Sequence, residues 1–198
     1  MIARLLGANV VLTEQDELLS LLGRNLADNF KGDRGEGIRY AALDWERKAD
    51  TDDILASLEP RATAQPKGSS SGGGGDGSVS GRRPPTRLEF ILCADCVFEP
   101  LYGDSWKALA KVMGRLSDAG TTVLCSVERR GDDGVPRFLD ACEAEGFERR
   151  MVYRSAPGAP APIELYELSK GGQEGFRGVA VESGYVSSSE VDGGDGSG

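Results

Sequence analysis

The sequence predicts an α/β protein built on a mostly parallel sheet that ends in an antiparallel hairpin. Three observations predict it. Short β-branched or apolar runs alternate with stretches whose apolar residues recur at helical spacing, the pattern of strands joined by crossover helices. Successive strand-like runs end in a carboxylate, at Glu14, Asp44 and Asp95, and open sheets of this kind bind ligands outside the carboxyl ends of their strands. The last two strand-like runs, 147–154 and 163–169, are separated only by a Pro-rich turn, too short for a crossover helix.

Taken in order, residues 2–6 read as the end of an amphipathic helix closed by Gly7, the residue a left-handed C-cap favours. Residues 9–13 (NVVLT) form a β-branched strand with Glu14 at its carboxyl end. Leu18, Leu19, Leu22 and Leu26 then repeat at helical spacing. After a turn at 32–37, residues 38–43 (IRYAAL) read as the next strand, ending in Asp44 and Trp45. Residues 51–58 predict a short helix with Thr51 as its cap and Asp52 and Asp53 in its first turn.

Residues 59–87 differ in kind, since GSSSGGGGDGSVSG lies between Pro-containing flanks with Val79 as its one large aliphatic residue. Such a segment cannot bury enough apolar surface to offset ordering, so it is expected to be a disordered insertion. Closing a loop of about 30 residues instead of about 5 costs only roughly 1.6 kcal/mol, so one domain over 1–170 tolerates it. An acidic low-complexity tail, 171–198, follows.

The run Leu88, Phe90, Ile91, Leu92 and Cys93 is almost continuously apolar, which predicts a strand covered by helices on both faces. Asp95 is the first charge beyond it. Asp104 or Ser105 caps the next helix, whose inner face is Trp106, Leu109, Ala110, Met113 and Leu116. Residues 121–127 (TTVLCSV) read as a buried strand ending in the charged triplet Glu128, Arg129 and Arg130, which is either a solvated face or part of a substrate mouth. Pro136 suits a first helical turn, Phe138, Leu139 and Cys142 face inward, and Gly146 closes that helix.

Composition narrows the chemistry. The 198 residues contain no His, which excludes His-based general bases, Ser/His/Asp and Cys/His nucleophiles, and His-containing zinc sites. The formal charge of −9 includes five acids and one Arg in 171–198, so the folded part is only mildly acidic. No nucleic-acid or membrane partner is expected. Three of the four cysteines fall in apolar strand or helix patterns, where a free Cys packs as a small hydrophobe, and a reducing, intracellular compartment fits. Cys93 and Cys96 lack the second pair that zinc needs, and Pro100 follows where a thioredoxin-type motif would open a helix.

VVLTE, LLSLLGRNLADN, LDW, ADCVFEPLYGDSW, SVERR and IELYEL occur in that order. Together they resemble the seven-strand protein-lysine methyltransferases, methyltransferase family 16 of the methyltransferase-like 21 type, over roughly 1–58 and 88–170. The resemblance implies a Rossmann-like class I methyltransferase sheet, truncated at the N-terminus, with S-adenosylmethionine as cofactor and a protein lysine as substrate. It implies a cytoplasmic enzyme that needs no metal. By position, Glu14 would receive the ribose hydroxyls, Asp44 and Trp45 would flank the adenine, and Ala94 would approach the cofactor through its backbone. Asp95 and Phe98 match the family's Asp-x-x-Tyr/Phe motif at the mouth where lysine meets the methyl group, with Phe98 replacing the commoner Tyr. The family's Gly-rich cofactor loop has no counterpart, because the match begins inside the helix that follows it. Weak cofactor binding is therefore expected, and a non-catalytic remnant acting as a binding module is an alternative, as is a small-molecule methyltransferase.

Overall fold

A computed structural model describes residues 2–30, 36–58, 88–156, 158 and 161–171. The expected insertion at 59–87 and nearly all of the expected tail, 172–198, lie outside the described residues. Six helices and six strands occur among the described residues, in the order α1 (Ile2–Leu5), β1 (Val10–Glu14), α2 (Leu19–Asn29), β2 (Ile38–Ala42), α3 (Lys48–Leu58), β3 (Phe90–Ala94), α4 (Glu99–Tyr102), α5 (Trp106–Leu116), β4 (Thr122–Glu128), α6 (Val135–Ala144), β5 (Phe147–Arg154) and β6 (Ile163–Lys170). A 3₁₀ turn over Asp16–Leu18 leads into α2. This is the predicted alternation, and the fold is a mixed α/β one.

The strands form two groups. β1 and β2 pair in parallel, while the other four take the order β3-β4-β6-β5, with β3 parallel to β4 and β6 antiparallel to both β4 and β5. The hairpin thus enters reversed: β6 fills the inner place and β5 the edge. Among the described residues β1 pairs only with β2 and β3 only with β4, so each keeps one open edge.

α5 joins the two groups. Trp106, Leu109, Ala110 and Met113 enter the main core with Val123, Cys125, Phe138 and Leu168, whereas Val112 and Leu116 meet Leu43 and Ile54 in a second cluster that also takes in Ala41 and Ile91. All five inner-face residues expected from the sequence are buried. Burying a large apolar side chain contributes about 1.5–3 kcal/mol, so this one helix supplies much of what holds both groups together.

Two expectations need correction. β3 is not covered on both faces: Ile91 and Cys93 pack toward the core, but Phe90 and Leu92 are 48% and 63% exposed. The physical reason is that nothing in either core cluster packs over that face: Phe90 and Leu92 belong to neither. α1 and α2 likewise bury no residue, although α2 comes close to β2 at Gly23, where an added Cβ would lie 3.0 Å from the Tyr40 hydroxyl. The second correction concerns Thr51, which is not a helix cap. α3 begins at Lys48, Thr51 is wholly buried inside it, and Asp50 instead accepts the Asp44 N–H at 2.9 Å.

Candidate functional site

The carboxyl ends of the parallel strands carry the candidate residues. β1 and β2 run in register with Glu14 beside Ala42, and the Leu43 N–H donates to the Glu14 carbonyl at 2.9 Å. Glu14 is exposed, and its carboxylate accepts the Gln15 N–H at 2.9 Å. Just past the end of β2, the Asp44 carboxylate accepts the Glu46 N–H at 2.9 Å and lies 3.9 Å from Arg47. Trp45 is half-buried against both core clusters. It also lines an open groove of about 610 Å³ along α5 with Lys107, Lys111 and Arg115, and that groove takes in none of Glu14, Asp44, Ala94, Asp95 and Phe98.

The tip of β3 is built differently. Ala94 ends the strand opposite Ser126, and the Asp95 N–H continues the ladder to the Ser126 carbonyl at 2.8 Å. The backbone then turns sharply, with Asp95 at φ 53, a left-handed conformation that Asp tolerates better than most residues. Val97 is buried in the core while Phe98, extended at the start of α4, remains half-exposed. Asp95 and Phe98, three residues apart in the chain, thus stand on the same turn beyond β3.

What sequence reasoning did not assign is the cation between them. The Arg130 Nη2 donates to Asp95 Oδ2 at 2.9 Å and to Glu128 Oε2 at 2.9 Å, its Nε donates to Glu128 Oε1 at 3.1 Å, and its guanidinium carbon lies 4.8 Å from the centre of the Phe98 ring. Hydrogen bonds to Glu128 and then Asp95 raise the Arg130 pKa above its ordinary value. The only signal in the sequence was the Glu128-Arg129-Arg130 triplet at a strand end.

Arg129 points into a buried network instead. It donates to Asp133 at 2.7 Å and Glu164 at 2.8 Å, and Glu164 also accepts from Arg154 and from the Tyr166 hydroxyl at 2.6 Å. Burial acts against charge on Glu164, but the bonds from Tyr166, Arg129 and Arg154 outweigh it and hold its carboxyl down at about 2. Asp133 is lowered too: burial opposes this, while Arg129 and the N–H groups of Val135 and Arg130 prevail. The network anchors the turn from which Arg130 projects.

Cys93 touches both Cys96 and Cys125 without a disulfide. The Cys93 thiol is raised, chiefly by its bond to Cys125, and Cys96 chiefly by its bond to Cys93. Such thiols are poor nucleophiles at neutral pH. Among the described residues no group of three or more His, Cys, Asp or Glu is placed to hold a metal, and no helix is long and apolar enough to cross a membrane.

Comparison with solved structures supports the fold. A predicted O-methyltransferase from Agrobacterium tumefaciens superposes with a TM-score of 0.52 at 17% identity, over 86% of this chain and 66% of that one. A TehB-like SAM-dependent methyltransferase from Corynebacterium glutamicum gives 0.48 at 12% identity, over 86% and 72%. The first likeness places the chain on the Rossmann-like class I methyltransferase fold. No family model matches the sequence. Among curated proteins, the secreted RxLR effector protein 48 of Plasmopara viticola is 38% identical over 182 residues, which cover 85% of this chain and 77% of that protein. At that identity and coverage, the chain belongs to the same family as the Plasmopara viticola secreted RxLR effector protein 48.

Proposed function

We propose that the chain is an S-adenosylmethionine-dependent protein-lysine N-methyltransferase, of the methyltransferase family 16 type that its motifs resemble. The observation that carries the reading is the tip of β3, where a carboxylate (Asp95) and an aromatic ring (Phe98) together surround a cation. A lysine side chain asks for the same two groups. The carboxylate orients the amine and accepts part of its developing charge, and the ring attracts the cation and walls off water.

The donor set suits the adenosine end of the cofactor. Glu14 presents an exposed carboxylate and Asp44 a half-exposed one at neighbouring strand ends, able to accept the ribose hydroxyls and the exocyclic amine. The Trp45 indole supplies an aromatic face beside Asp44, and the Ala94 backbone stands at the strand end next to Asp95. When bound, the cofactor supplies an electrophilic methyl group on a sulfonium. The chain's task is then to hold a neutral amine in line with that methyl, for which Asp95 and Phe98 suffice without a metal. Four unpaired cysteines support a reducing, cytoplasmic site of action.

The test is transfer of labelled methyl groups to a protein mixture, with the same mixture after chemical blocking of its lysines as control. Asp95→Asn keeps shape and loses charge, so turnover is expected to fall by roughly one to three decades, about 1.4–4 kcal/mol, with the cofactor dissociation constant nearly unchanged. Label entering only small molecules would assign a small-molecule methyltransferase. Absence of both cofactor binding and transfer would leave a binding module on the same fold. The relative's name favours a second reading, in which the chain is secreted and acts as an effector; detection in the culture medium of the producing organism tests it.

A further inference from the structure

We propose that Arg130 determines substrate specificity at this site: its guanidinium stands where the substrate's cation is received, so a basic side chain enters by displacing it. This rests on the reading above only in taking Asp95 and Phe98 as the groups that meet the substrate.

Arg129 and Arg130 leave the same strand end and meet opposite fates. Arg129 is tied to two carboxylates that are each 2% exposed, Asp133 and Glu164. Among the described residues the one other cation on its partners is Arg154 on Glu164, and removing Arg129 strands buried charge. Arg130 is tied to Asp95 and Glu128, whose side chains are 47% and 37% exposed. Ion pairs open to water to that degree contribute little, so they can be exchanged for others at small cost.

The geometry is that of a stand-in. Asp95 gives Arg130 one oxygen and Glu128 gives it two, in the fork arrangement a guanidinium prefers, while the Phe98 ring lies 4.8 Å beneath the charge. An alkylammonium needs the same carboxylate and the same ring, but not the fork. A neutral side chain cannot replace Arg130, because it would leave Asp95 and Glu128 as adjacent uncompensated carboxylates. The arrangement therefore admits a side chain that arrives as a cation, before its amine sheds the proton it must lose to meet the methyl group, and rejects apolar or acidic side chains.

The experiment titrates n-butylammonium, the cation of a lysine side chain, into the full chain without cofactor, followed through the NMR signals of the Phe98 ring. Arg130→Ala is expected to bind it about tenfold more tightly than the wild type, Arg130→Lys to fall between them, and Arg130→Ala with Asp95→Asn to lose the gain. In methyl transfer to a lysine peptide, the Arg130→Ala effect is expected as a lower KM. If Arg130 only clamps the β3 tip, Arg130→Ala lowers the melting temperature and leaves the butylammonium affinity where it was, which overturns the proposal. If no variant transfers methyl groups yet the titration behaves as stated, the methyltransferase reading fails and the role of Arg130 stands.

Discussion

Glu164→Gln probes the buried network that seats the Arg129–Arg130 turn. Glu164 is 2% exposed and receives hydrogen bonds from Arg129, Arg154 and Tyr166. Its carboxyl is held at about 2 against an ordinary 4.5, which at 1.36 kcal/mol per unit corresponds to roughly 3 kcal/mol of stability. Because the folded value is depressed, that contribution is fully present above about 4.5 and is lost as pH falls through about 2. The amide keeps the shape and its oxygen can still accept from Tyr166 and Arg129, but Arg129 is left with Asp133 as its one charged partner in the network. At pH 7 the variant should be destabilised by roughly 3 kcal/mol, or about 6–12 °C in melting temperature for a domain of this size. Denaturant unfolding of both proteins from pH 7 down to pH 2.5 is the assay, read as the difference between them so that other titrating groups cancel. The gap should narrow steadily below pH 4.5. A gap that stays constant to pH 2.5 would show that Glu164 contributes by packing and not by charge, and the account of what anchors Arg130 would fail with it.

Ile54→Ala should cost about 2–5 kcal/mol, and because Ile54 lies in the cluster linking β2 and α3 to α5, the loss should be regional. Hydrogen exchange is expected to speed up at Leu12 and Tyr40 well before Val123 or Leu168; uniform acceleration would show that the two strand groups unfold as one. The thiols give an independent check of the β3 end. Burial pushes the Cys142 thiol up to about 12, and Cys93 and Cys96 are raised as well, so at pH 8 the native chain should react with a disulfide reagent at least tenfold more slowly than the denatured chain. Two fast thiols in the native state would contradict the packing at Cys93 and Cys96.

Much of this was legible where local chemistry decides. The spacing of Trp106, Leu109, Ala110, Met113 and Leu116 gives α5 and its buried face directly, and Gly146 at φ 88 stops α6 as the left-handed cap predicts. The placement of Asp95 just beyond an apolar run put it at a strand end, and the motif put Phe98 beside it. Thr51 misled because its cap propensity is a local preference, whereas Asp50 was captured by the Asp44 N–H across the strand-to-helix turn. The apolar run of β3 misled for another reason. Its composition records that the strand can be buried on both faces, but not whether an element packs over each. Nor does the sequence show that Arg129 and Arg130 part company, since what separates them is Glu164, 35 residues from Arg129.

The open edges of β1 and β3 bear on how the site works. The residues proposed for the adenosine end, Glu14 and Asp44, stand on one strand pair, and the residues proposed for the amine, Asp95 and Phe98, stand on the other group. No strand hydrogen bonds connect the groups among the described residues. Their relative position rests on side-chain packing, through Val112 and Leu116 of α5 against Leu43 and Ile54, and through Trp45, which touches both clusters. Apolar packing is less directional than a ladder of backbone bonds, and in-line methyl transfer loses rate steeply with small misplacements. Trp45 therefore carries a second duty beside the proposed adenine contact, since its indole couples the strand pair that would hold the cofactor to the core beneath the Asp95 tip.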